Sequence, residues 1–289
     1  MNLQEYFAKI GFQGSNAKPD LATLRQIHRQ HVMVIPFENL SIHCGERITL
    51  DLQVIFDKEV RSNRGGCCLE NNCLFNWVLR EMGYDVTMLG ARVFDTDTND
   101  FTATEDHLIN KVVIDGRAYI ADVSFGMSSQ ILEPLELISG KEQPQPVAVF
   151  RLVEEGETWV LEKTSRKKVT AAEFSDSPLI DKKPSGKIYC FSLAPRQVDH
   201  FLEFNHSLQT DPDSLFTNKS ICSLQTPTGF RGLVGLSYSQ VTFKPEEGVD
   251  LIDMQDIPEE EVERILWEKF GVKLQNKLKP VNQKASFTL

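Results

Sequence analysis

His107-Leu108-Ile109-Asn110-Lys111-Val112-Val113-Ile114-Asp115-Gly116-Arg117-Ala118-Tyr119-Ile120-Ala121-Asp122 is the stretch from which the fold can be built. Asp-Gly between two β-rich runs is the strongest short-range hairpin signal, because both residues of a tight two-residue loop need positive φ. With Asp115 and Gly116 in the loop, Ile114 pairs with Arg117, and stepping along the ladder brings His107 opposite Ser124. Asp122, two residues before Ser124, then shares a face with His107. Diagonal neighbours on one face stand ~7–8 Å apart at the backbone, a gap that the two side chains span. An imidazole held in this way by a carboxylate keeps its second nitrogen free to take a proton from a nucleophile. The same spacing also describes an exposed strand histidine followed by a turn-forming aspartate.

Around this hairpin the pattern is that of a strand-rich middle. Asp85–Phe94, Arg117–Val123, Val147–Val153, Trp159–Leu161 and Ile188–Leu193 are short apolar or alternating runs separated by Gly, Asp, Asn and Pro, which predicts a meander or barrel. Thr164–Lys187, polar and rich in lysine, reads as a loop or insertion. Before residue 84 the period is helical. Asn2 with Glu5 resembles a capping box ahead of Leu3, Tyr6, Phe7 and Ile10, with a stop at Gly11. Asp20 opens a second helix through Leu21, Leu24, Ile27 and His28, and Leu52, Ile55, Phe56 and Val60 mark a third. A Pro-broken connection covers Ile35–Leu40, and a fourth helix follows Gly65-Gly66 through Leu69, Cys73, Leu74, Trp77 and Leu79 to Gly83. In the last third Ser220–Leu224 and Gly232–Tyr238 read as strands. Pro258 with Glu259, Glu260 and Glu261 starts a helix that presents Val262, Ile265, Leu266 and Phe270 and stops at Gly271.

The chain has 289 residues, 41% hydrophobic and 25% charged, with a formal net charge of −10. No basic stripe follows from that composition, so nucleic acid is not an expected partner. The N-terminal residues mix charge into their apolar positions and no run approaches the ~20 apolar residues of a membrane span, so a cytoplasmic location is expected. Six cysteines in a chain of this length do not make a disulfide scaffold and are read as separate thiols. One of them is set apart. In Arg64-Gly65-Gly66-Cys67-Cys68 a glycine turn enters the fourth helix, so a thiol there faces unpaired N–H groups and the positive helix end, a placement that favours thiolate. The alternative is an ordinary buried cysteine.

Arg64-Gly65-Gly66-Cys67-Cys68 also resembles the arginine-glycine-glycine-x-cysteine motif of the arylamine N-acetyltransferases. Further blocks are similar in the same order: Val34–Gly45, Asp122–Gly126, Pro134–Gly140, Lys219–Pro227 and Phe287-Thr288, the later ones resembling the vertebrate branch. The resemblance implies an α+β fold with an N-terminal helical bundle (1–83), a central β-barrel (84–193) and an inter-domain segment with a C-terminal α/β lid (194–289), around a cysteine-protease-like core. It implies Cys68, His107 and Asp122 as a catalytic triad, with ping-pong transfer of acetyl from acetyl-coenzyme A to aromatic amines and hydrazines, or to a hydroxylamine oxygen. The implied acceptor pocket comprises Phe37, Val93, Asp106, His107, Phe125, Met127 and Ser129. Coenzyme A contacts are implied at Ala103, Thr104, Ser207, Asp213, Ser286 and Thr288. No metal is called for, and a monomer is the simpler expectation.

Glu38 and Arg64 are expected to pair, either buried beneath the active-site turn, as in similar proteins, or at the surface. This chain departs from the family pattern at Cys67, which stands where an aromatic residue is usual, and at Val123-Ser124. Successive side chains on a helix diverge by ~100°, which would separate Cys67 from Cys68. Two rival readings are a cysteine hydrolase or transglutaminase-like enzyme, which uses Cys, His and Asp in the same order, and a silent relative that only binds ligands.

Overall fold

A computed structural model describes residues 1–14, 18–180, 183 and 185–283. The expected coenzyme A contacts Ser286 and Thr288 lie outside the described residues. The α-helices are α1 (Leu3–Ile10), α2 (Leu21–Val34), α3 (Leu40–His43), α4 (Leu52–Phe56), α5 (Cys68–Glu81), α6 (Leu202–Thr210), α7 (Leu215–Asn218) and α8 (Val262–Phe270). The strands begin with β1 (Phe37–Glu38), β2 (Asp85–Asp95), β3 (Asp100–Phe101), β4 (His107–Ile114) and β5 (Arg117–Ala121). They continue with β6 (Leu135–Glu136), β7 (Glu142–Pro144), β8 (Val149–Glu155), β9 (Thr158–Thr164) and β10 (Lys167–Thr170). The last are β11 (Ser185–Pro195), β12 (Ile221–Thr226), β13 (Gly229–Val234), β14 (Ser237–Lys244) and β15 (Val249–Asp256). The fold is α+β, with the helices concentrated before residue 84.

Local sequence accounts for the helix ends. The Asn2 side chain caps α1 by accepting from the Gln4 N–H at 2.8 Å, and Gly11 ends it at φ 73°. The expected capping box does not form, because both Glu5 oxygens accept from the Arg61 guanidinium at 2.7 and 2.9 Å, a two-point charged pair that outweighs one backbone N–H. Asp20 caps α2 through the Thr23 N–H. The apolar period of α4 runs on through one π-helical turn, Asp57–Arg61. Helix α5 is buried on nearly all sides, and its Asn71, Asn72 and Asn76 are buried with it.

The middle strands form a nine-stranded sheet in the order β6-β5-β4-β2-β11-β9-β8-β7, with β3 on β2. The turn of its hairpin is the one expected, with Ile114 paired to Arg117, but the ladder stops at Asn110 opposite Ala121, short of the expected pairing of His107 with Ser124. Asp115 and Gly116 sit at φ 48° and 76°, the loop geometry that matches strand twist. Side chains close the sheet into a barrel. Gln143 of β7 accepts from the Glu136 N–H of β6 at 2.8 Å and donates to its carbonyl at 2.9 Å, taking the part of a strand across the seam. Gln145 repeats the arrangement against Leu132 and Glu133.

The second sheet has the order β1-β12-β13-β14-β15-β10. Two expectations change here. Within Thr164–Lys187, expected as a loop, β10 pairs in parallel with β15, Lys167 opposite Val249. Its lysines are those of an edge strand, where charge discourages pairing with other chains, and they mask the strand in the sequence. The single strand expected over Gly232–Tyr238 is two, β13 and β14, joined by a turn at Gly235 (φ 59°), with Leu236 exposed in it. An apolar residue at a turn hid the break. Among the described residues no helix is long and apolar enough to cross a membrane.

Two histidines of α2 pack edge-on against Phe75 of α5 with ring centroids at 5.7 and 5.4 Å. His28 is bonded to the Leu132 carbonyl and His31 to the Tyr6 hydroxyl. Burial, opposed by hydrogen bonding, lowers His28 to about 4; burial and the neighbouring His28 lower His31 to about 3. Below the ordinary value near 6.5 the unfolded chain takes up protons that the folded one refuses, so stability is full above that pH and falls as pH drops toward 4. Urea unfolding between pH 4.5 and 6 should show a loss of about 1.4 kcal/mol per pH unit for each histidine. His31→Gln should remove about half of this slope; an unchanged slope would refute the assignment.

Candidate active site

β4 places His107 as its first residue, opposite Ala91 of β2. The ladder with β5 ends at Ala121, and the chain then turns in so that Asp122 Oδ2 meets His107 Nε2 at 2.7 Å. Both side chains are buried. The other carboxylate oxygen accepts from Asn72 Nδ2 and from the Ser124 N–H, each at 3.0 Å. Burial alone would raise the Asp122 carboxyl, but its interaction with His107 and these donors outweigh it and leave it below its ordinary value. His107 is thus held by Nε2, with Nδ1 as its other ring nitrogen.

Cys68 opens α5 and is buried, its Sγ 4.0 Å from the carbonyl of Asp106, the residue before His107. The turn before it is fixed from both sides. Gly66 N–H donates to the Pro36 carbonyl at 3.2 Å, and the Glu38 N–H donates to the Gly66 carbonyl at 2.9 Å. Arg64 meets Glu38 through Nε at 2.8 Å and Nη2 at 3.2 Å, both side chains buried, so of the two expected arrangements the buried one is observed. The expected shift toward free thiolate is not supported. The hydrogen-bonded Cys67 side chain, burial, and the Asp106 and Asp122 carboxylates raise the Cys68 thiol well above its ordinary value. Cys67 is the cap residue and lies in extended backbone (φ −76°, ψ 179°), not in the helix. The expected helical divergence of the two thiols therefore does not apply to this pair.

Aromatic rings surround the imidazole. Phe125 stands edge-on to His107 at 5.2 Å, and Tyr189 lies 5.4 Å from it. The loop after Asp122 brings in Met127, whose φ is 48°, and Phe37 packs on Gly126, where a Cβ would lie 3.3 Å from the ring. Asp106 turns its carboxylate to the Val93 N–H at 2.9 Å, and Val93 pairs with Tyr189. Ser129 is engaged by the Lys163 ammonium at 2.9 Å. The expected coenzyme A positions are more dispersed. Ala103 and Thr104 are exposed between β3 and β4, Ser207 donates to the Phe204 carbonyl within α6, and Asp213 is exposed in the turn after it.

Three positioning residues escaped the sequence reading. Asn72 bridges Asp122 and the Val123 N–H, Gln130 accepts from Phe125 and Gly126 N–H and donates to the Asp122 carbonyl, and Asn71 joins the Pro36 and Gly66 carbonyls to Ser124 Oγ. Asparagines on a helix otherwise fit for burial were the available signal, since buried amides need partners.

The chain is similar to known proteins over most of its length. The family profile described as N-acetyltransferase matches residues 20–279. The chain is 48% identical over 290 residues to a pineal gland isozyme of arylamine N-acetyltransferase from Gallus gallus, and 44% identical over 290 residues to arylamine N-acetyltransferase 1 of Homo sapiens, covering 100% of each chain in both cases. The solved arylamine N-acetyltransferase of Nocardia farcinica is similar at 31% identity and TM-score 0.79, covering 95% of this chain and 90% of that one. The Mycobacterium marinum enzyme in complex with CoA is similar at 25% identity and TM-score 0.78, covering 94% and 93%.

Asn72→Ala strips one donor from Asp122 and the acceptor from Val123 N–H. Urea unfolding should show a loss of about 2 kcal/mol, in the range for hydrogen bonds to charged groups. In steady-state acetyl transfer kcat should fall while KM changes little; a change confined to KM would contradict this role.

Proposed function

This chain belongs to the arylamine N-acetyltransferase family, and on that footing we propose that it transfers acetyl from acetyl-coenzyme A to arylamines and arylhydrazines, or to a hydroxylamine oxygen, through an acetyl-Cys68 intermediate. The observation that carries the mechanism is the buried 2.7 Å bond between His107 and Asp122 beside the helix that opens with Cys68. His107 Nδ1 takes the Cys68 proton as the sulfur attacks the thioester carbonyl. Collapse of the tetrahedral adduct breaks the bond to the coenzyme A sulfur, which leaves with the proton from His107. A neutral amine then attacks the acetyl carbon, gives its surplus proton to His107, and the C–S bond to Cys68 breaks with return of the proton to sulfur. Asp122 keeps the ring oriented and stabilises the imidazolium that forms twice in the cycle.

In this reading Phe125, Phe37 and Val93 form the apolar wall for an aromatic ring, with Asp106, Met127 and Ser129 completing the acceptor pocket. Coenzyme A lies along Ala103, Thr104, Ser207 and Asp213, with Ser286 and Thr288 contributing from the tail. The CoA complex of the similar Mycobacterium marinum enzyme supports this choice of co-substrate. A cytoplasmic monomer whose three units meet near residues 83 and 193 completes the proposal.

Incubation with acetyl-coenzyme A and no acceptor should leave an acetyl group on the Cys68 peptide in mass spectra, discharged on adding an arylamine. Cys68→Ser should abolish the label and lower transfer by at least about 10³-fold, while Cys67→Ser keeps both. Label on Cys67, activity in Cys68→Ser, or hydrolysis without a stable acetyl group would overturn the reading.

A further inference from the structure

Two buried acceptors border the Cα of Gly66, and among the described residues neither has a donor. Glu59 is fully buried, and both of its carboxyl oxygens lack hydrogen-bond partners. Asn71, also fully buried, donates through Nδ2 to the Pro36 carbonyl (3.3 Å), the Gly66 carbonyl (3.1 Å) and Ser124 Oγ (2.9 Å), yet its Oδ1 accepts nothing. A Cβ on Gly66 would overlap Glu59 Oε1 and lie 3.0 Å from Asn71 Oδ1, so both atoms face one small space. Turning the amide over offers no remedy, because its oxygen would then oppose two backbone carbonyls. An amide oxygen needs a hydrogen, a carboxylate has none, and a carboxylic acid has one.

We propose that Glu59 is a positioning residue held as the neutral acid, whose hydroxyl donates to Asn71 Oδ1 directly or through one water and thereby locks the amide that ties the Gly66 turn to Ser124. The amide joins the turn before Cys68 to the segment after Asp122. The inference rests on the reading of Cys68 as nucleophile for its consequence, though not for the protonation of Glu59.

The surroundings agree with a proton on Glu59. Burial first and the Glu70 carboxylate second push its carboxyl well above the ordinary range, with Cys67 and Glu38 adding to this. Lys58 opposes, but its ammonium is committed to Glu70 at 2.8 Å. From α1, Tyr6 and Lys9 face the same carboxyl, and from α5, Cys73 does. Loss of the proton at alkaline pH would remove this donor to Asn71 Oδ1 and set a second anion beside Glu70, loosening the turn.

Glu59→Gln keeps size, neutrality and a donor; Glu59→Met keeps size alone. In acetyl transfer, Glu59→Gln should retain kcat and lose the alkaline decline of the parent profile. Glu59→Met should lose about tenfold in kcat, the equivalent of one hydrogen bond, with KM for acetyl-coenzyme A unchanged. The infrared difference between the parent protein and Glu59→Gln at pH 7 should contain a protonated-carboxyl C=O band that vanishes at alkaline pH. A missing band, full activity in Glu59→Met, or equal impairment of the two variants would overturn the proposal. Because the infrared measurement does not involve Cys68, it stands if the nucleophile assignment fails and falls only with Glu59.

Discussion

The bond between Arg64 and Glu38 is the constraint on which the site depends. Taking two full charges out of water costs several kcal/mol for each, so their attraction alone does not make the pair a source of stability. Its environment does the rest. Glu38 also accepts from the Gly65 and Leu40 N–H groups, and Arg64 donates to Ser41 Oγ and Glu46. Burial acts to raise the Glu38 carboxyl, but Arg64 and Lys58 more than offset it, and the group lies below its ordinary value. What the pair fixes is geometry. Glu38 belongs to a two-residue strand that pairs with β12, while Phe37 bridges to Gly66. The turn that presents Cys68 is therefore registered against the second sheet, and Gly65 lies so close to the Pro36 carbonyl that no side chain fits there.

The sequence disclosed what neighbouring residues decide among themselves. Asp115-Gly116 specifies a hairpin because positive φ is a local demand, and the hairpin brings His107 and Asp122 near each other, although the ladder ends at Ala121 and a turn of the chain completes their contact. Asp20 and Gly11 mark helix ends for similarly local reasons. Apart from Glu38 and Arg64, whose pairing the family resemblance implied, partners distant in the chain were not legible. Nothing near Lys167 announces that it lies beside Val249, and nothing near Gln143 announces that its amide replaces a strand at the barrel seam. Asn72 and Gln130 belong to the same class: an amide advertises a need for partners but not their identity. Cys67 was legible as a departure from the family pattern, whereas its extended backbone at the helix entrance was not, because a cap is defined by dihedral angles rather than residue type.

A buried thiol whose surroundings oppose ionisation looks at first unsuited to nucleophilic attack. The proposed mechanism resolves this through bookkeeping of charge rather than through the helix end. Asp122 is already ionised, stabilised by His107, Asn72 and the Ser124 N–H. Moving a proton from Cys68 to His107 leaves the total charge of the buried site unchanged. Burial penalises the creation of charge far more than its relocation next to a charge of opposite sign. A thiolate formed by loss of the proton to water is the species that burial and the neighbouring carboxylates forbid; a thiolate formed against an imidazolium backed by Asp122 escapes most of that penalty. In the proposed mechanism, the environment that opposes ionisation of Cys68 into water thus favours His107 as recipient of its proton, and it gives the ionisation of Asp122 a role before any substrate arrives.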